Sequence, residues 1–572
     1  MNVSEEKISQ PTDVKEYDVV ILGGGINGAG LFRDLCEQGV NCLITDKGDF
    51  GSGTSAAPSR LIHGGLKYLE TGEFGLVAQS TLERNLLLKN APHLVRPLPT
   101  LIPIFSWTKG VGAALRTLFG SKTAPRSRGA LLIKIGLALY DYYGSRDRVM
   151  PRHKLVGRRR ALMETPGLTP AIVAGGTYYD AAVSHPERLV YELIADGIKA
   201  NPAAAAANYT DIVTAKDGVL TFHDPHGQTL TVRPKLVVNA AGPWIDHVNK
   251  KLGAPSKMIG GTKGSHILIK HDELLKSLAG RMIYFEADDG RICLVYEYLG
   301  LAMIGSTDIP ADDPDSVHCT DAEIDYLLDS VRMLMPGLRF GREQIVYAYS
   351  GIRPLPASNA AIPGLISRDH SAPVLEPEAD RSFPIISLVG GKWTTFRGFS
   401  EEVADTVLKR LQRSRRISTR SLPIGGGRNF PKTEQERRHW LSRIAGSAGK
   451  TISDIEPLLV RYGTTAETIA HHHPLTNEAG LLPDSGYSLT EVDFILRNEQ
   501  VVHLSDLVMR RTTLAITGLL TRRDLEQIAN LAATVLHWSD ETKRAELERV
   551  VDELTTRNLM QLEPVQKAYA AG

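Results

Sequence analysis

The sequence predicts an α/β protein with a helical C-terminal region, and three stretches of the 572-residue chain carry this prediction. A short apolar strand at 17–22 leads through a glycine-rich turn into a helix, which is how a parallel βαβ unit begins. Strand-like runs recur between about 265 and 304, which favours a mixed, mainly antiparallel sheet in the middle of the chain. Beyond Leu422 the pattern is helical, including 515–520 and 525–538.

Composition and charge exclude several other classes of protein. The chain is long enough for three or four domains, and its 42% hydrophobic and 23% charged residues are ordinary for a globular protein. The formal net charge of +1 provides no overall positive field, so we expect no nucleic-acid partner. The four cysteines lack CxxC spacing, which predicts reduced thiols, and we expect no metal site.

The chain is expected to be cytoplasmic, because the polar residues 1–18 lack the apolar core of a secretory signal. Its most apolar stretch, 130–140, is too short to span a bilayer. Residues 107–134 contain six basic and no acidic residues, with apolar residues between them. Two interpretations stay open: an amphipathic helix that docks peripherally on the cytoplasmic face of the inner membrane, or a solvated basic loop.

The glycine-rich turn is the first candidate binding site. Gly23, Gly25 and Gly28 form a GxGxxG pattern, and Asp46 follows the second strand eighteen residues after the last glycine. The glycines allow close approach of a pyrophosphate, and the Asp46 carboxylate can accept hydrogen bonds from ribose hydroxyls. This order predicts a Rossmann-type dinucleotide-binding unit and disfavours an empty glycine-rich turn. Phe32 is unusual, since a small residue normally eases the packing of this helix.

Three further segments favour FAD over NAD. The loop at 52–70 places hydroxyl groups, a histidine and a glycine pair where they could wrap an extended cofactor. The strand within 237–244 ends in small residues that let the backbone pass close to a ligand. Residues 390–396 (GGKWTTF) put N–H groups and a lysine where they could stabilise an anionic flavin. The candidate cofactor residues here are Thr54, Ser55, His63, Gly64, Gly65, Ala241, Gly242, Gly391, Lys392, Thr394 and Thr395.

With these motifs in place, the chain resembles the FAD-dependent, quinone-linked glycerol-3-phosphate dehydrogenases, in the flavoprotein group that includes D-amino-acid and glycine oxidases. Residues 497–512 are similar to the C-terminal domain that separates this family from shorter amine oxidases, so an amino-acid oxidase is disfavoured. The other matching segments are GGGINGAG (23–30), LIHGGLKYLE (61–70), NAAGPWID (239–246), KGSHI (263–267), IGSTD (304–308), YSGIRPL (349–355), SRDH (367–370) and GGKWTTF (390–396).

The resemblance implies hydride transfer from C2 of sn-glycerol 3-phosphate to flavin N5, which yields dihydroxyacetone phosphate. Electrons would then pass to a membrane quinone or, in some members, to oxygen. Whether the chain forms a homodimer stays open. The expected division is a discontinuous FAD-binding domain at 16–106, 151–255 and 345–410, a substrate or cap region at 256–344 with 107–150, and a helical C-terminal domain at 411–572.

The resemblance also implies a substrate site with a phosphate-binding side. Arg353, Arg368 and Lys67 would supply the positive charge that a phosphate dianion needs, with Tyr68 beside them. For Arg353 the alternative is a structural arginine paired with a core carboxylate. At Lys67 the resemblance is imperfect, because the family pattern has lysine then arginine where this chain has Arg60 then Lys67. A bidentate phosphate contact would then become a single point charge.

The expected catalytic residues are His266, Arg353 and Lys392. His266 would accept the hydroxyl proton, because its pKa suits a base. Lys392 would bridge substrate and flavin electrostatically, and His63 would either orient the cofactor loop or be a core histidine. Two other functions stay open: oxidation of another polyol phosphate, such as an erythritol phosphate, and a flavin-binding scaffold without turnover.

Overall fold

The computed structural model describes residues 14–69, 72–107, 129–145, 149–287, 289–311, 313–357, 369–474, 482 and 485–562. Within them the strands are β1 (Lys15–Leu22), β2 (Cys42–Thr45), β3 (Leu61–Ile62), β4 (Val95–Ile104), β5 (Lys154–Gly157), β6 (Ala174–Val183), β7 (Ala205–Ala207), β8 (Asp211–Lys216), β9 (Val219–His223), β10 (Thr229–Asn239), β11 (Ile259–Ile269), β12 (Met282–Glu286), β13 (Ile292–Tyr298), β14 (Leu301–Gly305), β15 (Ile309–Pro310), β16 (Ile345–Pro356), β17 (Val374–Leu375) and β18 (Ile385–Ser387).

The helices of the described residues are interspersed with the strands as far as β18 and then continue without further strands. They are α1 (Ile26–Glu37), α2 (Phe74–Asn90), α3 (Ala130–Tyr143), α4 (Arg158–Glu164), α5 (Pro186–Ala200), α6 (Ile245–Lys251), α7 (Asp272–Leu278), α8 (Asp321–Leu334), α9 (Phe396–Arg410), α10 (Glu434–Ala448), α11 (Ile452–Tyr462), α12 (Ala466–Ala470), α13 (Leu489–Asn498), α14 (Arg522–Leu536) and α15 (Asp540–Asp552).

The first sheet has the parallel core that the sequence predicts. Its parallel strands lie in the order β18, β10, β1, β2 and β7, with β17 antiparallel at one edge and the β8–β9 hairpin continuing from β10. Both faces of β1 are buried: Val19 and Ile21 pack into one apolar cluster, and Val20 and Leu22 pack into another. A strand covered on both faces is apolar at consecutive positions, which is why 17–22 shows no alternation.

Helix α1 packs between α5 and α9, and glycines make both contacts close. A Cβ on Gly30 would lie 2.6 Å from the ring of Phe396 in α9. On the other side, a Cβ on Gly197 of α5 would lie 2.8 Å from the ring of Phe32. The bulky Phe32 is therefore accommodated because the small residue stands on the opposing helix instead of on α1.

The second sheet is the mixed sheet expected for the middle of the chain. Its strands lie in the order β15, β11, β14, β13, β12, β4, β6 and β3, with β16 paired to β11 and β5 paired to β6. Only the contact between β12 and β4 is parallel among the described pairs. The sheet includes β3 to β6 and β16, which the expected division assigned to the FAD-binding domain. The sequence did not indicate this, because pairing between remote strands leaves no local sequence pattern.

The C-terminal region is helical, as predicted, and its helices pack against the second sheet. Helix α14 begins with a capping box of Thr521 and Asp524 and ends where His537 adopts a positive φ. The helix predicted over 515–520 is wrong, because these residues form a turn that includes Gly518 at φ +67°. Ala515, Ile516 and Leu520 are buried in the core, whereas Leu519 is exposed.

We expect Gly197→Val to lower the free energy of unfolding by about 1–3 kcal/mol, because its side chain would overlap the buried ring of Phe32. Urea unfolding measures this change, and a Phe32→Leu substitution in the same chain should recover part of the loss. The control is Gly446→Ala, in a helix with open space around the glycine, which should stabilise by about 0.5–1 kcal/mol. Equal effects of the two substitutions would contradict the packing argument.

Candidate active site

The glycine-rich turn lies between β1 and α1 and leaves no room for side chains. Gly23 has φ +112°, and a Cβ there would lie 2.5 Å from the carbonyl oxygen of Ala240 at the end of β10. A Cβ on Gly28 would lie 1.9 Å from the carbonyl oxygen of Gly23. Gly25 immediately precedes the first turn of α1. The turn thus brings the backbone ends of two parallel strands to the N-terminus of a helix, where an anion is stabilised.

Asp46 follows the carboxyl end of β2, and its side chain contacts the glycine-rich turn. Its carboxylate accepts hydrogen bonds from the N–H groups of Gly24 at 2.7 Å and Gly48 at 2.9 Å. Burial raises the pKa of Asp46 to about 6, although these two N–H groups act in the opposite direction. This position beside the glycine turn is where a dinucleotide ribose binds in such sheets.

The loop after β2 ties the glycine turn to the second sheet. Ser55 accepts a hydrogen bond from the N–H of Ile26 at the start of α1, at 2.9 Å. Its neighbour Thr54 donates to the carbonyl oxygen of Ile352 on β16, at 2.6 Å. The short turn Thr54–Ala56 therefore holds the two sheets in a fixed relation at the predicted cofactor site.

Two further glycine-containing segments lie beside the glycine-rich turn and the start of α1. Ala241 donates its N–H to the side chain of Asn239 at 3.2 Å, and the next residue, Gly242, has φ +56° with open space on its Cβ side. Gly391 has φ +90°, and a Cβ there would lie 3.0 Å from the side-chain nitrogen of Asn27. Both segments allow close approach to the backbone. Thr394 and Thr395 are buried just before α9.

Lys392 is buried and is positioned by polar and aromatic neighbours. Its Nζ donates to Oγ of Ser80 at 3.1 Å and lies 3.6 Å from the ring centre of Tyr68. A Cβ on Gly65 would meet both the Tyr68 ring and this Nζ, at 2.2 and 2.8 Å. The ammonium group, the tyrosine and the glycine therefore form one compact site that a larger residue at 65 would disrupt. Lys67 lies half-buried in the same short turn.

The neighbouring residues of this loop are held by their backbone. His63 donates its N–H to Oγ1 of Thr394 at 3.2 Å, and its ring stacks on Tyr68. Gly64 donates its N–H to the hydroxyl of Tyr140 at 2.9 Å and to the carboxylate of Asp180 at 3.1 Å. The loop at 61–69 is thus anchored both to the start of α9 and to the second sheet.

His266 is fully buried on β11 and is confined on several sides. Its Nε2 lies 2.8 Å from Oγ of Ser59, and its ring stacks on Tyr349 at 4.9 Å. Nδ1 has no hydrogen-bond partner among the described residues. Burial, with a smaller contribution from Arg353 and Arg60, lowers the pKa of His266 to about 3. The imidazole is therefore neutral at physiological pH and has one nitrogen open to a ligand.

Arg353 lies on β16, which pairs antiparallel with β11, and its side chain crosses the position of Gly264 on the same face as His266. Its guanidinium donates to Asp308 at 3.1 Å and to the Ser306 hydroxyl at 3.0 Å. Arg353 therefore pairs with a carboxylate at the edge of the core, where both side chains are 21% exposed. A partly exposed guanidinium with a carboxylate on one side can still receive an anion on another.

Arg60 differs from the other cations, because its charge is fully used inside the protein. Its guanidinium pairs with both carboxylate oxygens of Glu187, at 2.8 and 3.1 Å, and both side chains are buried. These bonds commit Arg60 to an ion pair inside the protein, while its buried Nε has no partner among the described residues. Arg368 lies outside the described residues, as does most of the basic segment at 107–134.

The described residues fit FAD. The buried polar atoms that lack hydrogen-bond partners within the described part of the chain include Asn27 Oδ1, His266 Nδ1 and Trp393 Nε1. Together with the narrow glycine turn and the open space at Gly242, they offer donors and acceptors to a long polar ligand. Among the described residues, no group of His, Cys, Asp and Glu side chains could hold a metal ion.

Ser59, Ser80 and Asp308 belong to the site but were not predicted as site residues. Ser59 reaches His266 across 207 residues of sequence, and Ser80 reaches Lys392 across 312. Spacing within a motif cannot report contacts over such distances. Two of them gave a signal in the sequence: Ser59 as a hydroxyl group of the loop at 52–70, and Asp308 as the last residue of the IGSTD segment.

Family models match nearly the whole chain. The model of FAD dependent oxidoreductases matches residues 18–404, and the model of the C-terminal domain of alpha-glycerophosphate oxidase matches residues 417–543. The first match alone covers more than half of the 572 residues. Both the predicted family and the use of FAD are confirmed.

Individual relatives extend over the same length. Glycerol-3-phosphate dehydrogenase of Synechocystis is 33% identical over 87% of this chain and 89% of its own length. Aerobic glycerol-3-phosphate dehydrogenase of Staphylococcus saprophyticus is 28% identical over 97% of this chain and 98% of its own. The crystal structure of glycerol-3-phosphate dehydrogenase from Bacillus halodurans, complexed with FAD, superposes with a TM-score of 0.72 at 22% identity, covering 96% of both chains. The predicted fold class is confirmed.

We expect the stability of the protein to depend on His266 in acid. Its folded pKa of about 3 lies below the ordinary value of 6.5, so the unfolded chain binds a proton that the folded chain does not. This group therefore lowers stability as pH falls below 6.5, by up to about 1.4 kcal/mol per pH unit. In urea unfolding between pH 4 and 7, the free energy of unfolding of His266→Gln should depend less steeply on pH than that of the unmodified protein. Identical slopes in the two proteins would show that His266 is solvated.

Proposed function

Because the chain belongs to the FAD-dependent oxidoreductase family, we propose that it oxidises sn-glycerol 3-phosphate to dihydroxyacetone phosphate and passes the electrons to a quinone. The relatives that match its full length bear the name glycerol-3-phosphate dehydrogenase. The observation that carries the proposal is a neutral, buried histidine and a partly exposed arginine on one face of paired strands, next to the cofactor loop.

In this proposal the chain holds FAD along the carboxyl ends of its parallel strands. The glycine turn at 23–28 receives the pyrophosphate, and Asp46 accepts hydrogen bonds from the ribose hydroxyls. Lys392 and the N–H groups at 391–395 lie at the flavin end, where positive charge stabilises the reduced ring system. When bound, FAD supplies the acceptor for the two electrons that leave C2 as hydride.

Arg353, Lys392 and Lys67 bind the substrate in this scheme. Asp308, the Ser306 hydroxyl and the carbonyl oxygen of Thr307 hold the guanidinium of Arg353, which would pair with the phosphate through its charge. Arg368 remains a fourth proposed phosphate ligand, on the strength of the SRDH segment alone. Because Arg60 is committed to Glu187, the phosphate depends on the other cations.

His266 takes the proton of the C2 hydroxyl on Nδ1, the nitrogen without a partner in the described residues. Ser59 holds Nε2 and thereby fixes the orientation of the ring. A pKa of about 3 is too low for an effective base at neutral pH, but Arg353 is one of its causes. A phosphate dianion bound to Arg353 would offset that charge and raise the pKa of His266 toward the working range.

The quinone is proposed to be reached at a membrane surface beside α3. Leu131, Ile135, Leu139 and Tyr142 are exposed and recur every three or four residues, so they form one apolar stripe. Trp107 is exposed at the preceding end of the chain segment, and Lys134 lies within the helix. An amphipathic helix of this kind lies in the interface plane of a bilayer. None of the described helices is long and apolar enough to cross one.

Anaerobic mixing tests the reaction and the substrate together. We expect sn-glycerol 3-phosphate to bleach the flavin absorbance rapidly, whereas erythritol 4-phosphate and glycine should not. Bleaching by erythritol 4-phosphate alone would make the enzyme a dehydrogenase of another polyol phosphate. A flavin that responds to no compound would favour the scaffold.

We expect Arg353→Ala to lower kcat/KM for glycerol 3-phosphate by roughly 100-fold, because a phosphate dianion would lose its paired charge. Arg353→Lys should recover part of the loss, and the bound FAD, measured from its absorbance, should be unchanged. Arg342, which pairs with carboxylates on the surface of α8, provides the control, since Arg342→Ala should leave the kinetics unchanged. Wild-type kinetics in Arg353→Ala would remove this residue from the site.

The membrane proposal predicts that Leu131→Ser with Ile135→Ser will weaken binding to anionic vesicles at least tenfold, because two apolar side chains leave the bilayer. Vesicle sedimentation measures the binding, and dye-linked oxidation of glycerol 3-phosphate should be retained. Ile452→Ser, at an exposed apolar position of α11, is the matched control. Equal sedimentation of all three proteins would contradict docking through this stripe.

A further inference from the structure

We infer that the C-terminal domain holds the nucleotide end of the cofactor site in place, with Arg510 and Arg511 as positioning residues for Asp46. The connection runs through the interdomain charge cluster, which consists of Asp49, Arg188, Glu499, Asp506, Arg510 and Arg511. The inference rests on the proposed role of Asp46 as the acceptor for the ribose hydroxyls.

Asp49 is one of the residues through which the two domains contact each other. Its carboxylate is fully buried and accepts hydrogen bonds from Nε of Arg510 at 2.8 Å and from Nη1 and Nη2 of Arg511 at 2.7 and 2.8 Å. Asn208 donates a further bond at 3.0 Å. Burial alone would raise the pKa of Asp49, but the two guanidinium groups hold it at about 2. The carboxylate is therefore ionised and fully occupied by these partners.

The segment at 46–51 transmits this attachment to the glycine turn. Asp46 accepts the N–H of Gly24, and Gly51 donates its own N–H to the carbonyl oxygen of Gly24 at 3.0 Å. Between them, Phe50 is fully buried, and a Cβ on Gly24 would lie 2.4 Å from its ring. Asp49 thus lies in a short chain segment whose two ends both contact the glycine turn. Movement of Asp49 would shift the Asp46 carboxylate relative to that turn.

The two arginines are themselves held rigidly. They end the turn Asp506–Arg511, in which hydrogen bonds join residues five apart, including Thr512 N–H to the carbonyl oxygen of Leu507. This turn directs consecutive side chains toward the same carboxylate. Arg510 also contacts Asp506, and Arg511 donates Nε to the carbonyl oxygen of Glu499 at 3.0 Å.

The charges within the cluster balance. Arg188 of α5 pairs with both oxygens of Glu499 and donates to the carbonyl oxygen of Arg511 at 2.7 Å. Three carboxylates therefore face three guanidinium groups in a buried region. Removing one member leaves an uncompensated charge that only local rearrangement can relieve. The segment at 46–51 is the nearest part of the cofactor site that such a rearrangement would displace.

The test compares FAD dissociation from full-length holoenzymes carrying Arg511→Lys, Asp49→Asn or Arg510→Lys. Release on dilution is followed by flavin fluorescence, and thermal unfolding is measured in parallel. We expect the FAD Kd to rise at least tenfold, which corresponds to 1.4 kcal/mol. The flavin absorption spectrum and the KM for glycerol 3-phosphate at saturating FAD should be unchanged. Arg510→Lys keeps the charge while it replaces a guanidinium that bonds to Asp49, Ser505 and Asp506, so it serves if Asp49→Asn fails to fold.

The matched control is Arg461→Lys, which disrupts a similar two-bond pair with the buried Glu491 inside the C-terminal domain. It should lower the unfolding temperature comparably while changing the FAD Kd less than twofold. If the FAD Kd rises by the same factor in the cluster variants and in Arg461→Lys at equal loss of thermal stability, the inference is overturned. The cluster would then have a structural role only.

A double-substitution cycle separates this inference from the proposed function. Asp46→Ala should itself weaken FAD, and Asp49→Asn should add less than twofold to that loss if it acts through Asp46. Asp46→Ala could weaken FAD binding while Asp49→Asn raises the FAD Kd by the same factor with or without Asp46. In that case the positioning role is wrong and the ribose assignment stands. If Asp46→Ala leaves FAD binding unchanged, the ribose assignment fails, and the inference fails with it.

Discussion

The buried ion pair between Arg60 and Glu187 determines how the cofactor loop meets the second sheet. Arg60 has φ +54°, donates to the carbonyl oxygen of Ala56, and lies 5.2 and 5.6 Å from the ring centres of Tyr298 and Tyr349. A left-handed backbone costs about 1–2 kcal/mol, whereas breaking a buried pair costs about 3–5 kcal/mol, so the pair dominates. Helix α5, the loop and two strands are thereby fixed around one guanidinium group.

The same arrangement also fixes the position of Ser59 beside His266 on β11. Tyr349 donates its hydroxyl to the carbonyl oxygen of Pro58, and Tyr296 donates to that of Ser59, both at 2.9 Å. Because the backbone at 58–60 cannot shift, the Ser59 hydroxyl is held against His266. Arg60 thus supports the backbone next to the proposed base. In the proposed function the substrate charge would be matched by Arg353 and by the lysines at 67 and 392, which are less deeply buried than Arg60.

The sequence was sufficient for features that depend on neighbouring residues and insufficient for those that depend on remote contacts. The strand, glycine turn and helix at 17–37 were predictable, because each is set by local pattern and by the space that glycines leave. The pairing of Arg60 with Glu187 spans 127 residues, and its burial has no local signature. The turn at 515–520 was mistaken for a helix. The positions of its buried apolar residues are set by packing in the surrounding core and do not follow a helical period.

In the proposed function, burial links the substrate charge to proton transfer at His266. A low dielectric keeps His266 neutral, and it also strengthens the repulsion between an imidazolium and Arg353. A ligand without a phosphate would leave that repulsion in place and could not accept the guanidinium bonds. In the proposed reaction a bound dianion would offset the contribution of Arg353 and leave that of burial, so it would raise the pKa of His266 without restoring its ordinary value. The proposed function then implies that a phosphorylated alcohol is selected through the electrostatics of the proposed base as well as through contacts to the phosphate.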